Sequence, residues 1–129
     1  MREKVGYSMS KINIKVSLTE NGTKIYDNEK FIGIKKNNCI VYKEKDVMVT
    51  INIFEDKINM IRKNDKYLLD LSFILNQKTQ NIYKIKGIGD IIVNIFTNNL
   101  ICGNTICIEY YLEEQDKSYK FDLFYEVIK

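Results

Sequence analysis

Residues 11–18 read Lys-Ile-Asn-Ile-Lys-Val-Ser-Leu, so that apolar side chains at Ile12, Ile14, Val16 and Leu18 alternate with polar ones. Successive side chains of an extended chain point to opposite faces, and a period of two therefore predicts a strand with one buried face. A helix would need apolar residues every three or four positions. The stretch predicts a half-buried β-strand.

The same alternation recurs to the end of the chain, with Asn, Asp and Gly between the runs. Glu20-Asn21-Gly22 is a strong hairpin signal. The runs predict strands at 9–19, 23–33, 38–44, 47–55, 58–63, 67–75, 79–87, 89–97, 100–102, 105–114 and 118–128, some of which can merge. Residues 67–75 are the only helix candidate by composition, and their alternation favours a strand. Gly87 and Gly89 predict a kink or bulge rather than a phosphate loop, because no helix pattern follows them.

The number and spacing of these strands predict an all-β fold, a single antiparallel barrel of about 8–10 strands. A barrel is favoured over a sandwich because closure leaves no long apolar edge exposed. Its interior either fills with side chains or holds one small ligand. The 129 residues fit one domain, 1–129, and no apolar run is long enough to span a bilayer. Residues 1–8 carry charges without an apolar run behind them, which predicts a flexible N-terminus rather than a secretory signal.

Composition excludes several chemistries. The chain has no histidine, which removes Ser-His, Cys-His and His-metal catalysis. Cys39, Cys102 and Cys107 are an odd set that predicts buried or half-buried thiols in a reducing compartment; zinc ligation by Cys102 and Cys107 is the alternative. Twenty basic and 17 acidic residues are interleaved, with a net charge of +3, so there is no clear nucleic-acid signature. We expect no cofactor, no metal and no catalysis.

Arg62 is the charged residue with the most informative position. It follows Ile58 and Met60 at a period of two, and Glu44 follows Ile40 and Tyr42 in the same way. This parity predicts that both charges point inward, where a guanidinium needs a partner. A Glu44–Arg62 ion pair inside the barrel is one interpretation. The other is that Arg62 faces outward or caps a strand end.

The tyrosines suggest how a barrel interior could be partly polar. Six fall on the apolar parity of their strands: Tyr42, Tyr67, Tyr83, Tyr110, Tyr119 and Tyr125. A buried tyrosine packs its ring and seeks a partner for its hydroxyl. Either these hydroxyls reach the barrel rim, or they line a lumen and orient a small ligand.

Several stretches resemble the YwiB-like family of uncharacterised bacterial proteins. The residues that carry the resemblance are Phe31-Ile-Gly33, Ile40-Val-Tyr42-Lys-Glu44, Ile61-Arg62, Tyr83, Gly89-Asp-Ile91-Ile-Val93-Asn-Ile95-Phe-Thr97, Ile106-Cys-Ile108-Glu-Tyr110 and the aromatic last strand. The resemblance spans residues 11–128. It implies a lipocalin-like (calycin) β-barrel in the cytoplasm of a Gram-positive bacterium, and it implies no established activity.

Two functions follow from these observations. The first is a small-molecule-binding barrel with a partly polar lumen and a small apolar or amphipathic ligand; its candidate ligand-binding residues are Tyr42, Glu44, Arg62, Tyr83 and Tyr110. The second is a protein or RNA interaction module that acts through the outer surface without catalysis. Apolar residues of outward parity suggest it: Met48, Phe54, Ile92, Phe96 and Phe124. Burial of those residues between two copies would make a homodimer instead.

Overall fold

A computed structural model describes residues 9–129; the predicted flexible segment 1–8 lies outside them. Ten strands follow one another along the chain: β1 (Met9–Glu20), β2 (Thr23–Lys36), β3 (Cys39–Glu44), β4 (Val47–Ile53), β5 (Ile58–Lys63), β6 (Tyr67–Phe73), β7 (Lys78–Ile85), β8 (Gly89–Ile101), β9 (Thr105–Leu112) and β10 (Lys117–Val127). Each pairs antiparallel with the next, and β1 also pairs with β10, which closes the barrel. The predicted fold class is confirmed. Within 9–129 no helix is long and apolar enough to cross a membrane.

The turns alternate between the two ends of the barrel. The upper end, as we call it, carries the turns after β1, β3, β5, β7 and β9. The lower end carries the other turns, together with Met9 and residues 128–129. Neighbouring strands are staggered, so that β2 extends above β3 and β8 extends above β9 at the upper end. These two extensions leave short strand edges beside the upper opening.

The middle of the barrel is a packed apolar core. Twelve large apolar side chains among residues 9–129 are less than 2% exposed: Phe73, Ile12, Ile14, Ile40, Ile51, Ile58, Ile95, Ile106, Ile108, Leu123, Val16 and Val49. They belong to one cluster that includes residues of strands all around the barrel, and the inward parity predicted from the alternation is confirmed in these strands. The interior was predicted either to fill with side chains or to hold a small ligand. Side chains fill its middle.

Several predicted strand ends differ from the observed ones by two or more residues, and two of the differences concern predicted turn residues. Asn98 and Asn99 do not end a strand, because the register with β9 shifts by one residue between Thr97 and Asn99 and the strand continues as a bulge. Gly87 does not kink a strand; it lies in the turn between β7 and β8 with φ of 82°. Glycine adopts a positive φ without steric cost, which suits a tight turn. β7 therefore ends at Ile85, two residues before the predicted end at Gly87.

The side chain of the buried Asn81 links neighbouring strands where the backbone pairing of β6 and β7 ends. Backbone pairing of these strands covers only Tyr67–Asp70 of β6. Below it, the Asn81 side chain accepts a hydrogen bond from the Ser72 backbone N–H at 2.7 Å and donates to the Val93 carbonyl at 3.3 Å. Thr79 adds a bond from its hydroxyl to the Ser72 carbonyl at 2.7 Å. Side chains thus replace the missing strand pairs, as buried backbone groups require.

The hydroxyl of Thr97 gives a first prediction. Thr97 is fully buried, and its Oγ1 has no hydrogen-bond partner among residues 9–129. An unpaired buried hydroxyl is costly, and valine has nearly the same shape. We expect Thr97→Val to raise the free energy of unfolding by about 1 kcal/mol, measured by urea denaturation. Thr79→Val is the matched control: it removes a bonded hydroxyl and should lower stability. A loss of stability in Thr97→Val would contradict the prediction.

Candidate functional site

An ion pair between neighbouring hairpins lies at the upper end of the barrel. Arg62, on β5, donates from a guanidinium nitrogen to Glu44 Oε1 on β3, and the predicted pair is confirmed. The two side chains are 23% and 17% exposed. Burial opposes the charge of Arg62, but the hydrogen bond and charge of Glu44 outweigh it and the pKa of Arg62 is raised. The pair is therefore held as two charges in a partly desolvated position.

Three tyrosine side chains lie within electrostatic range of Arg62. Burial is the main reason that the pKa values of Tyr26, Tyr42 and Tyr110 are raised, to about 12 for Tyr26. The positive charge of Arg62 acts on all three in the opposite direction, which places their hydroxyls within its electrostatic reach. No hydrogen bond joins these hydroxyls to another residue of 9–129. We call Tyr26, Tyr42, Glu44, Arg62 and Tyr110 the mouth cluster.

Aromatic contacts hold two of these tyrosines in place. The Tyr42 ring packs against Phe31 with centroids 5.2 Å apart, and Tyr42 is 2% exposed. Tyr110 lies between Phe73 below it, at 4.9 Å, and Tyr119, at 5.3 Å. Rings fixed on several sides keep their hydroxyls in one orientation. The hydroxyls of the mouth cluster are therefore positioned donors at neutral pH.

The alternation of the sequence does not predict Tyr26 as a site residue, because β2 contains a bulge. Counting by twos from Gly33 puts Tyr26 on the outer face of β2. The register runs from Val16 opposite Glu29 to Leu18 opposite Tyr26, so β2 has one extra residue there. Asn28, at φ of 52°, lies in this stretch, and its N–H donates to Ser17 Oγ at 2.9 Å. The bulge turns Tyr26 inward; an Asn tolerant of positive φ within a strand was the available signal.

A concavity of about 400 Å³ opens beside the mouth cluster. Its wall consists of Tyr26, Glu29, Phe31, Glu44, Lys45, Asp46, Val47 and Arg62. Apolar groups come from Phe31, Val47 and the ring of Tyr26, and the polar groups include the ion pair. Three carboxylates against two cations give this wall a slightly negative balance. The concavity suits a small molecule with both apolar and polar parts.

The predicted site residues fall into two groups. Tyr42, Glu44, Arg62 and Tyr110 lie together in the mouth cluster. Tyr83 instead packs edge-on against Tyr67, with ring centroids 5.7 Å apart. In the strand register Leu69 stands between Arg62 and Tyr83. A role for any of these residues in binding stays a prediction.

Other concavities lie away from the mouth cluster. One of about 510 Å³ runs along the outer face of β1 and β2, and its polar lining residues are exposed: Asn13, Lys15, Lys30 and Glu126. Another of about 470 Å³ lies at the lower end near Phe54, Leu75 and Cys102. Both exceed the mouth concavity in volume. Neither contains a buried charged pair, and we therefore place the candidate site at the upper end.

The outward apolar residues do not form one patch. Met48, Phe54, Ile92 and Phe124 are 39–51% exposed, and Phe96 is half-buried. Met48 pairs with Lys43 and Lys63, whereas Phe124 pairs with Lys15 and Thr105. These residues therefore lie on separate parts of the outer surface.

The cysteines are free thiols. Cys39 is half-buried and Cys107 is buried, as predicted, but Cys102 is exposed and the prediction for it is wrong. It follows the last residue of β8, where the chain leaves the core for a turn. Within 9–129 no group of three Cys, Asp or Glu side chains is arranged to hold a metal ion.

The fold and the site together define a class of protein: a closed, ten-stranded antiparallel β-barrel with a packed core and a charged, tyrosine-rich mouth. The crystal structure of ywiB protein from Bacillus subtilis has a similar fold, with a TM-score of 0.67, and the match covers 95% of this chain and 94% of that chain. The two sequences are 15% identical, so the likeness concerns the fold. No family model and no curated protein sequence matches the chain.

Proposed function

We propose that the barrel binds a small amphipathic molecule at the mouth cluster and does so without catalysis. The observation that carries the proposal is a set of three tyrosine hydroxyls near a partly buried ion pair, none of which has a hydrogen-bond partner among residues 9–129. These hydroxyls are not fully buried, and water or a ligand can therefore accept their hydrogen bonds. Tyr26 also lines the concavity, and an oxygen acceptor on a ligand there would accept from its hydroxyl.

The charged side chains around the concavity restrict the kind of head group that a ligand can carry. Glu44 already occupies the guanidinium of Arg62, and Glu29 and Asp46 lie in the same wall. A carboxylate ligand would have to displace Glu44 or lie against like charge, and each is unfavourable. We therefore infer a ligand with an uncharged, oxygen-bearing head group. Its apolar part would contact Phe31 and Val47.

A fluorescent reporter tests the proposal. N-phenylnaphthylamine is uncharged and emits strongly in apolar sites, and the chain contains no tryptophan to interfere. We expect emission to rise with the wild-type protein and to fall at least about fivefold in Tyr26→Ala, which removes a wall of the concavity. Decanol should displace the reporter at lower concentration than decanoate or decylammonium.

A matched control separates this site from general apolar binding. Tyr125 is a half-buried tyrosine on β10 opposite Ile14, towards the lower end, and Tyr125→Ala should keep the reporter signal. Equal signals from both variants would contradict a site at the mouth cluster. Stronger displacement by decanoate or by decylammonium would contradict an uncharged head group.

A second candidate function is an interaction module that acts through the outer barrel surface. The exposure of Met48, Phe54 and Ile92 favours it. Met48 lies in β4, Phe54 in the turn after β4 and Ile92 in β8, and this separation argues against one broad interface. A homodimer would show as concentration-dependent mass in sedimentation velocity.

We also propose that the chain is a cytoplasmic member of the YwiB-like family and of the wider lipocalin-like group. The fold likeness over nearly the whole of both chains supports the family assignment. The free thiols of Cys39, Cys102 and Cys107 support a reducing compartment. Localisation of a tagged chain by cell fractionation would test the compartment.

A further inference from the structure

The hairpin of β7 and β8 extends above the rest of the barrel on one side. Residues 89–93 of β8 pair with β7, but β9 ends at Leu112 opposite Ile95. Nothing in the neighbouring strand therefore covers the outer edge of residues 89–92. The turn at its tip contains Gly87 and Ile88.

Isoleucines cover this projecting hairpin on both faces. Ile88 at the tip is 75% exposed, and Ile91 and Ile92 are 45% and 47% exposed. Ile82 lies opposite Ile92 on the outer face and is 38% exposed. Four large aliphatic side chains in one short element are more than scattered exposure explains, and such clusters mark interaction sites.

Lysines flank the isoleucines. Lys84 pairs with Leu68, which pairs in turn with Lys63, and the Lys86 N–H donates to the Lys66 carbonyl at 2.9 Å. None of these four lysines forms an ion pair with another residue of 9–129. Three carboxylates lie among them: Asp65 in the neighbouring turn, Asp90 opposite Lys84 and Asp70 opposite Ile82. The four lysines outnumber these three carboxylates by one, so the surface around the isoleucines has a small positive balance.

We propose that this hairpin docks the barrel onto an anionic lipid surface. Exposed aliphatic side chains enter the interfacial region of a bilayer while lysines beside them contact acidic head groups, and the two contributions reinforce each other. The uncovered backbone groups of residues 90 and 92 cannot be satisfied in hydrocarbon. Docking is therefore shallow, with Ile88 as the deepest side chain.

The structure argues against a second copy of the chain as the occupant of this edge. Only residues 90 and 92 present free backbone groups there, because the Glu114 carboxylate accepts from the Asn94 N–H at 3.1 Å and from its side-chain amide at 2.6 Å. Two residues are too few for a stable added strand, and the carboxylate blocks its extension. The positive surroundings favour a negatively charged partner instead.

Vesicle co-sedimentation tests the proposal. The protein is mixed with phosphatidylcholine vesicles that contain phosphatidylglycerol, and in parallel with pure phosphatidylcholine vesicles. We expect binding to the anionic vesicles alone, with a loss at high salt. Ile88→Asp should weaken the binding at least about fivefold, because it places a like charge at the deepest position. Lys84→Gln with Lys86→Gln should remove the salt-dependent part.

Ile101→Asp is the matched control. Ile101 ends β8 at the lower end and is 52% exposed, so the same substitution there should leave vesicle binding unchanged. Circular dichroism checks that each variant keeps its strands. Equal binding to both kinds of vesicle, equal losses in Ile88→Asp and Ile101→Asp, or no binding would each overturn the proposal. So would a dimer in sedimentation velocity that Ile88→Asp abolishes, since the hairpin would then bind a second copy.

Discussion

Gly33→Ala should lower the free energy of unfolding by about 2–3 kcal/mol, because the position has no room for a methyl group. A Cβ at Gly33 would lie 2.6 Å from the Val41 carbonyl oxygen, 2.8 Å from Ile14 Cδ1 and 3.0 Å from Tyr42 Cβ. The first contact is with backbone, so strand β3 itself must move. Urea denaturation of the variant measures the loss.

The same substitution should also weaken the mouth cluster. Gly33 lies opposite Tyr42 in the register of β2 and β3, and displacement of Tyr42 would disturb its packing on Phe31. We expect reporter binding at the mouth to fall together with stability.

Gly103→Ala is the control for Gly33→Ala. Gly103 lies in the turn between β8 and β9, and a Cβ there would meet nothing closer than 4.0 Å. Alanine restricts the unfolded chain, so this variant should be as stable as the wild type or up to about 1 kcal/mol more stable. A loss in Gly33→Ala no larger than that in Gly103→Ala would contradict the prediction, because the close contacts at Gly33 would then not control stability.

Arg62→Met should cost about 2–3 kcal/mol, since it leaves the Glu44 carboxylate without its partner in a largely buried place. Methionine fills much of the volume of arginine, so the loss reports the charge rather than a cavity. The double variant Arg62→Met, Glu44→Leu removes both charges and should recover most of that loss. A double-mutant cycle in urea gives the coupling energy.

An exposed ion pair provides the comparison. Lys24 and Asp27 lie 2.9 Å apart with side chains 58% and 56% exposed. Because solvent screens such a pair, Lys24→Met should change stability by less than about 0.5 kcal/mol. A loss in Arg62→Met no greater than this would mean that solvent, not Arg62, satisfies Glu44.

The alternation of side chains within one strand was the part of the site that could be predicted from the sequence. Ile58, Met60 and Arg62 share a face of β5 whatever the neighbouring strands do, and the inward position of Arg62 followed from that. Glu44 followed in the same way on β3. Tyr26 did not, because a bulge in β2 inverts the alternation and depends on pairing with β1. Tyr83 has the predicted parity, but its contact with Tyr67 could not be predicted, because the two residues lie on different strands.

By itself, the alternation of apolar and polar residues in 11–18, which recurs along the chain, determined that the chain forms antiparallel strands with one buried face. Side-chain alternation is a local property of extended backbone. Only the tertiary structure decided that ten strands close into one barrel with a filled middle. It also decided which tyrosines gather around Arg62 and that the tip of β7 and β8 stands uncovered. Both depend on stagger between strands and on bulges, which arise from pairing between residues far apart in the chain.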